Sequence, residues 1–328
     1  MDFSFSELDI SFRDGVATVL ADRCPPAAVR KAWDAPTGGT DRAAWDALAD
    51  LGVLDALIPE GAGGLGLDER SLVLVFEEAG RAALPDPLIE TAAVAAPLIG
   101  PHGAGSRSVV ASNLGAGPGR ALVPWGADAD LLLLEAADRT LHLLPTTAVA
   151  VEAVEAVDGS RRLVRVSWEQ GPGSQVDADP ELLTRARERG VMAAAAELIG
   201  LSERMLELTV AYVRERNQFG VPVGSFQAVK HHLADAAVAV EFARPLVYRS
   251  AWSLATGAAE AARDVSMAKA MASEAALTTA RAALQCHGAI GYTTEHDLHL
   301  YMKRAWALAR AWGDAAQHRD RVARSIGA

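Results

Sequence analysis

The 328-residue sequence predicts an α+β protein that is mostly α. An N-terminal helical domain is expected over 1–112, a small central β domain over 113–175 and a C-terminal four-helix bundle over 176–328. Three observations predict this. Long stretches rich in Ala, Leu, Glu and Arg favour helix residue by residue. Between about 115 and 170 the pattern changes to short apolar runs broken by turn residues. From about 180 helical spacing returns and holds to about 326.

Taken in order, Asp41 through Leu57 places Ala44, Leu48, Leu51 and Leu54 on one helical face. The glycines of Pro59-Glu60-Gly61-Ala62-Gly63-Gly64-Leu65-Gly66-Leu67 cannot hold a helix and end it. Ser71 is placed as the N-cap of the next helix, with Leu72, Val75, Phe76 and Ala79 on its apolar face and Gly80 marking its end. Leu131–Leu134, Leu141–Leu144, Val149–Val151 and Leu163–Val166 read as strands, and Gly171-Pro172-Gly173-Ser174 leads out of them. Leu182 to Arg216 reads as one long Ala-rich helix. Ser225 is expected to cap the next, whose face is Phe226, Val229, Leu233, Ala236, Val240 and Ala243. Pro245 should kink or end it, because a mid-helix proline loses a hydrogen bond and clashes with the preceding turn. Residues 259–285, 295–312 and 314–326 supply three more helices.

The composition, 50 % hydrophobic and 22 % charged, is that of a soluble globular chain. A net charge of −11 argues against nucleic acid or an anionic membrane as partner, since both require a basic face. Cys24 and Cys286 alone cannot build a disulfide framework or a thiolate metal site. The first residues lack the basic and apolar regions of a signal peptide, and no uncharged run reaches the ~18–20 residues of a membrane span. A cytoplasmic location is expected.

Two segments carry chemistry. The first is Arg216-Asn217-Gln218-Phe219-Gly220 with Ser225-Phe226-Gln227; the second is Gln285-Cys286-His287-Gly288-Ala289-Ile290-Gly291-Tyr292-Thr293. A guanidinium and an amide beside a helix N-terminus suit a pyrophosphate, because bidentate donors and the helix dipole both favour anions. Taken alone, the same segment reads better as an inter-helical turn with a capping arginine. Gly288 and Gly291 allow close backbone approach to a ligand, and Gln285 offers both donor and acceptor. Cys286 and His287 invite a nucleophile or redox reading, but no Asp or Asn partner suggests itself. His231-His232 and the Glu295, His296, His299 group invite a metal reading; solvated or capping roles are favoured for both.

In this order the two segments resemble the C-terminal half of the acyl-CoA dehydrogenase family, which binds FAD. Trp45, Leu51-Gly52-Val53-Leu54, the Gly-rich turn and Glu77-Glu78-Ala79-Gly80-Arg81 resemble its N-terminal helical domain. The resemblance implies that Arg216, Gln218, Phe219 and Gln227 contact the ADP part of FAD, and that Gln285, Gly288 and Ala289 meet its adenosine-pyrophosphate portion. The family's catalytic carboxylate lies in a Tyr-Glu-Gly near the C-terminus. Here that slot reads Ala311-Trp312-Gly313-Asp314, so Trp312 stands where the base would be, and an indole cannot accept a proton. Some relatives carry the base on the first long helix of the C-terminal domain; Glu197 and Glu188 are the nearest carboxylates, with Asp314 a weaker candidate. The segments that hold the flavin ring in the family are not found between 100 and 170. Trp125 is expected to be a core or surface residue.

The resemblance therefore implies a half-site subunit. In the family FAD lies across a subunit interface, and this sequence keeps the elements that serve a neighbour. Such shortened chains resemble those paired with full-length subunits in actinobacterial steroid side-chain degradation. The expected partners are a full-length acyl-CoA dehydrogenase subunit in a hetero-oligomer, as a tetramer, then an acyl-CoA substrate and an electron-transfer flavoprotein. The implied reaction is α,β-dehydrogenation of the thioester. Two alternatives stay open: a self-sufficient homo-oligomer whose base is Glu197, Glu188 or Asp314, and a binding relative without redox chemistry.

Overall fold

The computed structural model describes residues 4–34, 42–103 and 107–327. It begins with α1 (Glu7–Arg23), α2 (Pro26–Asp34) and α3 (Ala43–Asp50). Ser6 opens α1 with a reciprocal capping box to Asp9. The helix expected over Asp41–Leu57 is shorter than its apolar spacing suggested: α3 stops at Asp50, where Gly52 adopts a positive φ of 79°, and Asp41 lies outside the described residues. Leu54 is buried all the same, by irregular turns and not by helix.

The next helix, α4 (Glu69–Ala82), is capped by Asp68, whose side chain accepts from the Arg70 N–H. Ser71, expected to be the cap, is buried in the first turn and donates its hydroxyl to Asp9 on α1. Gly80 does not end α4 either. It lies inside the helix, where any Cβ would collide with the Glu197 backbone of α6 (Pro180–Glu215). Gly200 of α6 presses reciprocally on the Glu77 carbonyl. Two glycines thus let α4 and α6 cross backbone to backbone. A π-helical turn, Ile89–Ala95, then leads into α5 (Ala96–Gly103).

The β unit has two sheets. The four-stranded one is ordered β1 (Val110–Ser112), β3 (Leu131–Glu135), β4 (Leu141–Pro145), β7 (Gln175–Val176), and β1–β3 is parallel. The three-stranded one is ordered β2 (Leu122–Val123), β6 (Val164–Ser167), β5 (Ala150–Ala153) and is antiparallel. The first strand of the β unit, β1, therefore lies within the stretch expected to be helical.

The C-terminal region is built on α6, followed by α7 (Gln227–Ala255), α8 (Ala261–His287), α9 (Leu298–Arg310) and α10 (Ala315–Ser325). Pro245 neither ends nor splits α7. It sits on the exposed face, as does Glu241 one turn earlier, so water can satisfy the freed carbonyl. The first turns of α6 tie the regions together. Arg185 and Arg189 bind the buried Glu69 of α4, Arg187 pairs with Glu135 of β3, and Glu188 pairs with Arg321 of α10.

Candidate functional site

Between α6 and α7 the chain forms a tight hairpin: β8 (Asn217–Gln218) pairs antiparallel with β9 (Val221–Pro222). Its two-residue turn is Phe219-Gly220, both with positive φ, 53° and 81°. That is the twist a two-residue hairpin requires, and a phenylalanine holds it at a steric cost. The result is a Phe219 ring that is 92 % exposed.

Ser225 does not cap α7 as expected. Its hydroxyl donates to the Pro222 carbonyl at 2.7 Å within a 3-10 turn, and Phe226 occupies the cap position with no side-chain acceptor. The first amides of α7 are thus left without a side-chain cap, which makes that helix end an electropositive surface.

These pieces wall a cleft of about 820 Å3. One side is Arg216, Gln218, Phe219, Val223, Phe226, Ala228, Val229 and His232; the other is Tyr212 and residues 285–290. Arg216, Gln218, Phe219, Gln285, Gly288 and Ala289 are thereby brought together from two distant stretches of sequence. Gln227 starts α7 beside them but does not line the cleft. At Gly288, which ends α8 with φ 66°, a Cβ would meet nothing within 4 Å, so the backbone there is open to an approaching ligand. Sequence reasoning missed Tyr212, His232 and the cleft-lining role of His287; the spacing of Tyr212 one turn before Arg216 was the signal available.

The carboxylate candidates lie elsewhere. Trp312, with φ 58°, is 5 % exposed. Its indole packs on two glycines: a Cβ on Gly115 would stand 2.8 Å from the ring, and one on Gly190 would overlap it. The position of α6 that faces Trp312 is therefore Gly190, not Glu188 or Glu197. Glu188 is buried and held by Arg321; burial raises its pKa against the pull of that guanidinium. Glu197 is sealed in the interior near Arg304, Glu90, Arg161 and Asp158, and burial pushes its pKa up to about 8. Asp314 caps α10 through the Gln317 N–H, and that hydrogen bond holds its pKa below the usual carboxylate value. Trp125 is a core residue, 3 % exposed, donating to the Pro85 carbonyl between the Arg161 and Arg304 guanidinium groups. Among the described residues no group of three or more His, Cys, Asp or Glu is placed to hold a metal ion, and no helix is long and apolar enough to cross a membrane. Cys24 and Cys286 are free thiols.

A small β unit between two helical regions, with an open cleft on the second, is the architecture of the acyl-CoA dehydrogenases. The family models for the acyl-CoA dehydrogenase N-terminal and C-terminal domains match residues 6–104 and 184–327. The chain is 34 % identical to acyl-CoA dehydrogenase IpdE2 of Mycobacterium tuberculosis, over 91 % of both chains. Among solved structures it is similar to the ChsE4-ChsE5 complex of Mycobacterium tuberculosis (TM-score 0.85, 25 % identity, 100 % and 99 % coverage). Butyryl-CoA dehydrogenase of Megasphaera elsdenii shares the fold (TM-score 0.83, 20 % identity, full coverage of both). The chain belongs to the acyl-CoA dehydrogenase family.

Proposed function

We propose that this chain is a subunit of a hetero-oligomeric, FAD-dependent acyl-CoA dehydrogenase, contributing the ADP-side half of an FAD site to a full-length partner subunit. The observation that carries the reading is the contrast between two places in one molecule. The cleft at Arg216–Gln285 is open, whereas Trp312, the residue that the resemblance sets in the slot of the family's base, is a buried indole. The similarity to a chain of the ChsE4-ChsE5 complex supports a two-chain enzyme.

The cleft's chemistry fits the adenosine-diphosphate end. Arg216 can offer parallel N–H donors to a pyrophosphate, and the uncapped amides of α7 add partial positive charge beside it. Phe219 and Phe226, 6.2 Å apart and edge to face, give an apolar wall for a flat heterocycle. Gln285 and the backbone at Gly288 and Ala289 supply the opposite side. When bound, the flavin supplies the hydride acceptor for α,β-dehydrogenation of an acyl-CoA, with the base coming from the partner subunit. Electron-transfer flavoprotein is the proposed acceptor downstream.

A self-sufficient homo-oligomer would require Glu197, Glu188 or Asp314 to leave its ion pair, cap or sealed position. The test is flavin absorbance of the chain purified alone and co-expressed with a full-length dehydrogenase subunit. The chain alone should be colourless, and the pair yellow and active on an acyl-CoA. Arg216→Ala in the pair should weaken flavin binding by roughly ten-fold. Flavin and activity in the lone chain would overturn the half-site reading; no flavin in either preparation would leave a non-redox binding relative.

A further inference from the structure

The loop that follows α8, residues 288–297, lines the cleft with its first three residues and is fastened at both ends by aromatic rings. His287, the last residue of α8, stacks on Tyr212 of α6 with ring centroids 4.5 Å apart and 18° between planes. His296, just ahead of α9, meets both edge-on, 4.5 Å from His287 and 5.9 Å from Tyr212. Between them Gly291 folds back so closely that a Cβ would lie 3.0 Å from the His287 Cβ.

The hydrogen bonds fix the protonation of both rings. His287 Nδ1 faces the Ala283 carbonyl at 2.8 Å; a carbonyl only accepts, so Nδ1 carries the hydrogen. Its Nε2 is buried with no partner, so a proton added there would have nowhere to donate. His296 Nδ1 accepts from the Leu298 N–H at 3.1 Å, so a proton on that atom would set two donors against each other. The charged and titratable groups that bear on the pair are Arg30 of α2, Asp297 and Tyr212. Arg30 is bound to Asp297 and to the Thr294 carbonyl, and its charge opposes the pull of that carboxylate on His296. A positive charge on His287 would face the His296 ring, and one on His296 would lie near both Asp297 and Arg30.

We propose that Tyr212, His287 and His296 form a proton-sensitive clasp, closed when both imidazoles are neutral, that holds the 288–297 loop in its nucleotide-binding position and releases it in acid. The direction of both titrations agrees: burial lowers the pKa of each histidine. A group with depressed folded-state pKa contributes stability above about 6.5 that is lost as pH falls through its folded value. The same clasp would make nucleotide capture in the cleft depend on pH, which rests on the function proposed above.

Two measurements test this separately. Hydrogen exchange of the full-length chain, corrected for intrinsic rates, should show protection of 288–297 falling at least ten-fold from pH 7.5 to 5.0. The variant combining His287→Phe, which keeps the stack on Tyr212, with His296→Gln, which keeps an acceptor for Leu298, should lose that pH dependence. His296→Gln alone should reduce it, and serves if the double variant does not fold. Unchanged protection in the parent, or an equal fall in the variants, overturns the clasp. In the complex with a full-length subunit, flavin affinity should fall over the same pH range in the parent and not in the variant. Acid loosening of the loop in a chain whose complexes bind no flavin would keep the clasp and overturn the flavin reading. Flavin affinity equal at both pH values would overturn the coupling between clasp and cleft.

Discussion

Phe219 shows how one residue can be worse for the fold and better for the site. Its left-handed backbone costs about 1–3 kcal/mol relative to glycine, and its ring has almost no neighbour to recover that from. Phe219→Gly is therefore expected to leave the chain as stable or about 1 kcal/mol more so by denaturant unfolding, while the complex binds flavin more weakly. Glu197 makes the opposite case, a carboxylate sealed in the interior. With its pKa raised to about 8, the folded chain keeps a proton that the unfolded chain releases near the ordinary glutamate value. That stabilisation is complete below pH ~4.5 and fades as pH rises through about 8. Glu197→Gln should match the parent near pH 4, exceed it by about 1–3 kcal/mol at pH 7–8, and leave flavin uptake by the complex unchanged. A loss of activity in that variant without a change in stability would return Glu197 to the list of candidate bases.

At the scale of elements, helices with long apolar spacing were legible, as were the strands around Leu131, Leu141 and Val164. These signals are local, set by period and turn residues. Caps and helix ends were not, because the decisive contacts are distant in sequence. Ser71 looks like a cap until Asp9 of α1 claims its hydroxyl, and Gly80 looks like a terminator until α6 is laid across it. The cleft was legible in part. Arg216, Gln218, Phe219 and Gln285 carry recognisable chemistry, whereas the stack of Tyr212 on His287 joins α6 to the end of α8, a contact between distant stretches of sequence. The α4–α6 crossing gives a direct prediction. Gly200→Ala drives a methyl into the Glu77 carbonyl and should cost about 1–3 kcal/mol or more, read as a lower denaturation midpoint with an unchanged slope. Gly220→Ala in the exposed hairpin turn, with open space around it, should meet no such collision and lose only what its positive φ demands.

For the whole molecule, the half-site proposed above predicts a stoichiometry. A complex of this chain with a full-length subunit should hold one flavin per pair of chains, measured by absorbance against protein concentration; two per pair would show that Trp312 and the residues around it still admit a ring. Phe219 at 92 %, Tyr292 at 77 % and Phe242 at 71 % exposure have a consequence beyond catalysis. Each is apolar surface that the proposed partner subunit would cover, and a chain made without that partner would carry it into water. On the proposed pairing, matched synthesis of the two chains then bears on solubility as well as on turnover.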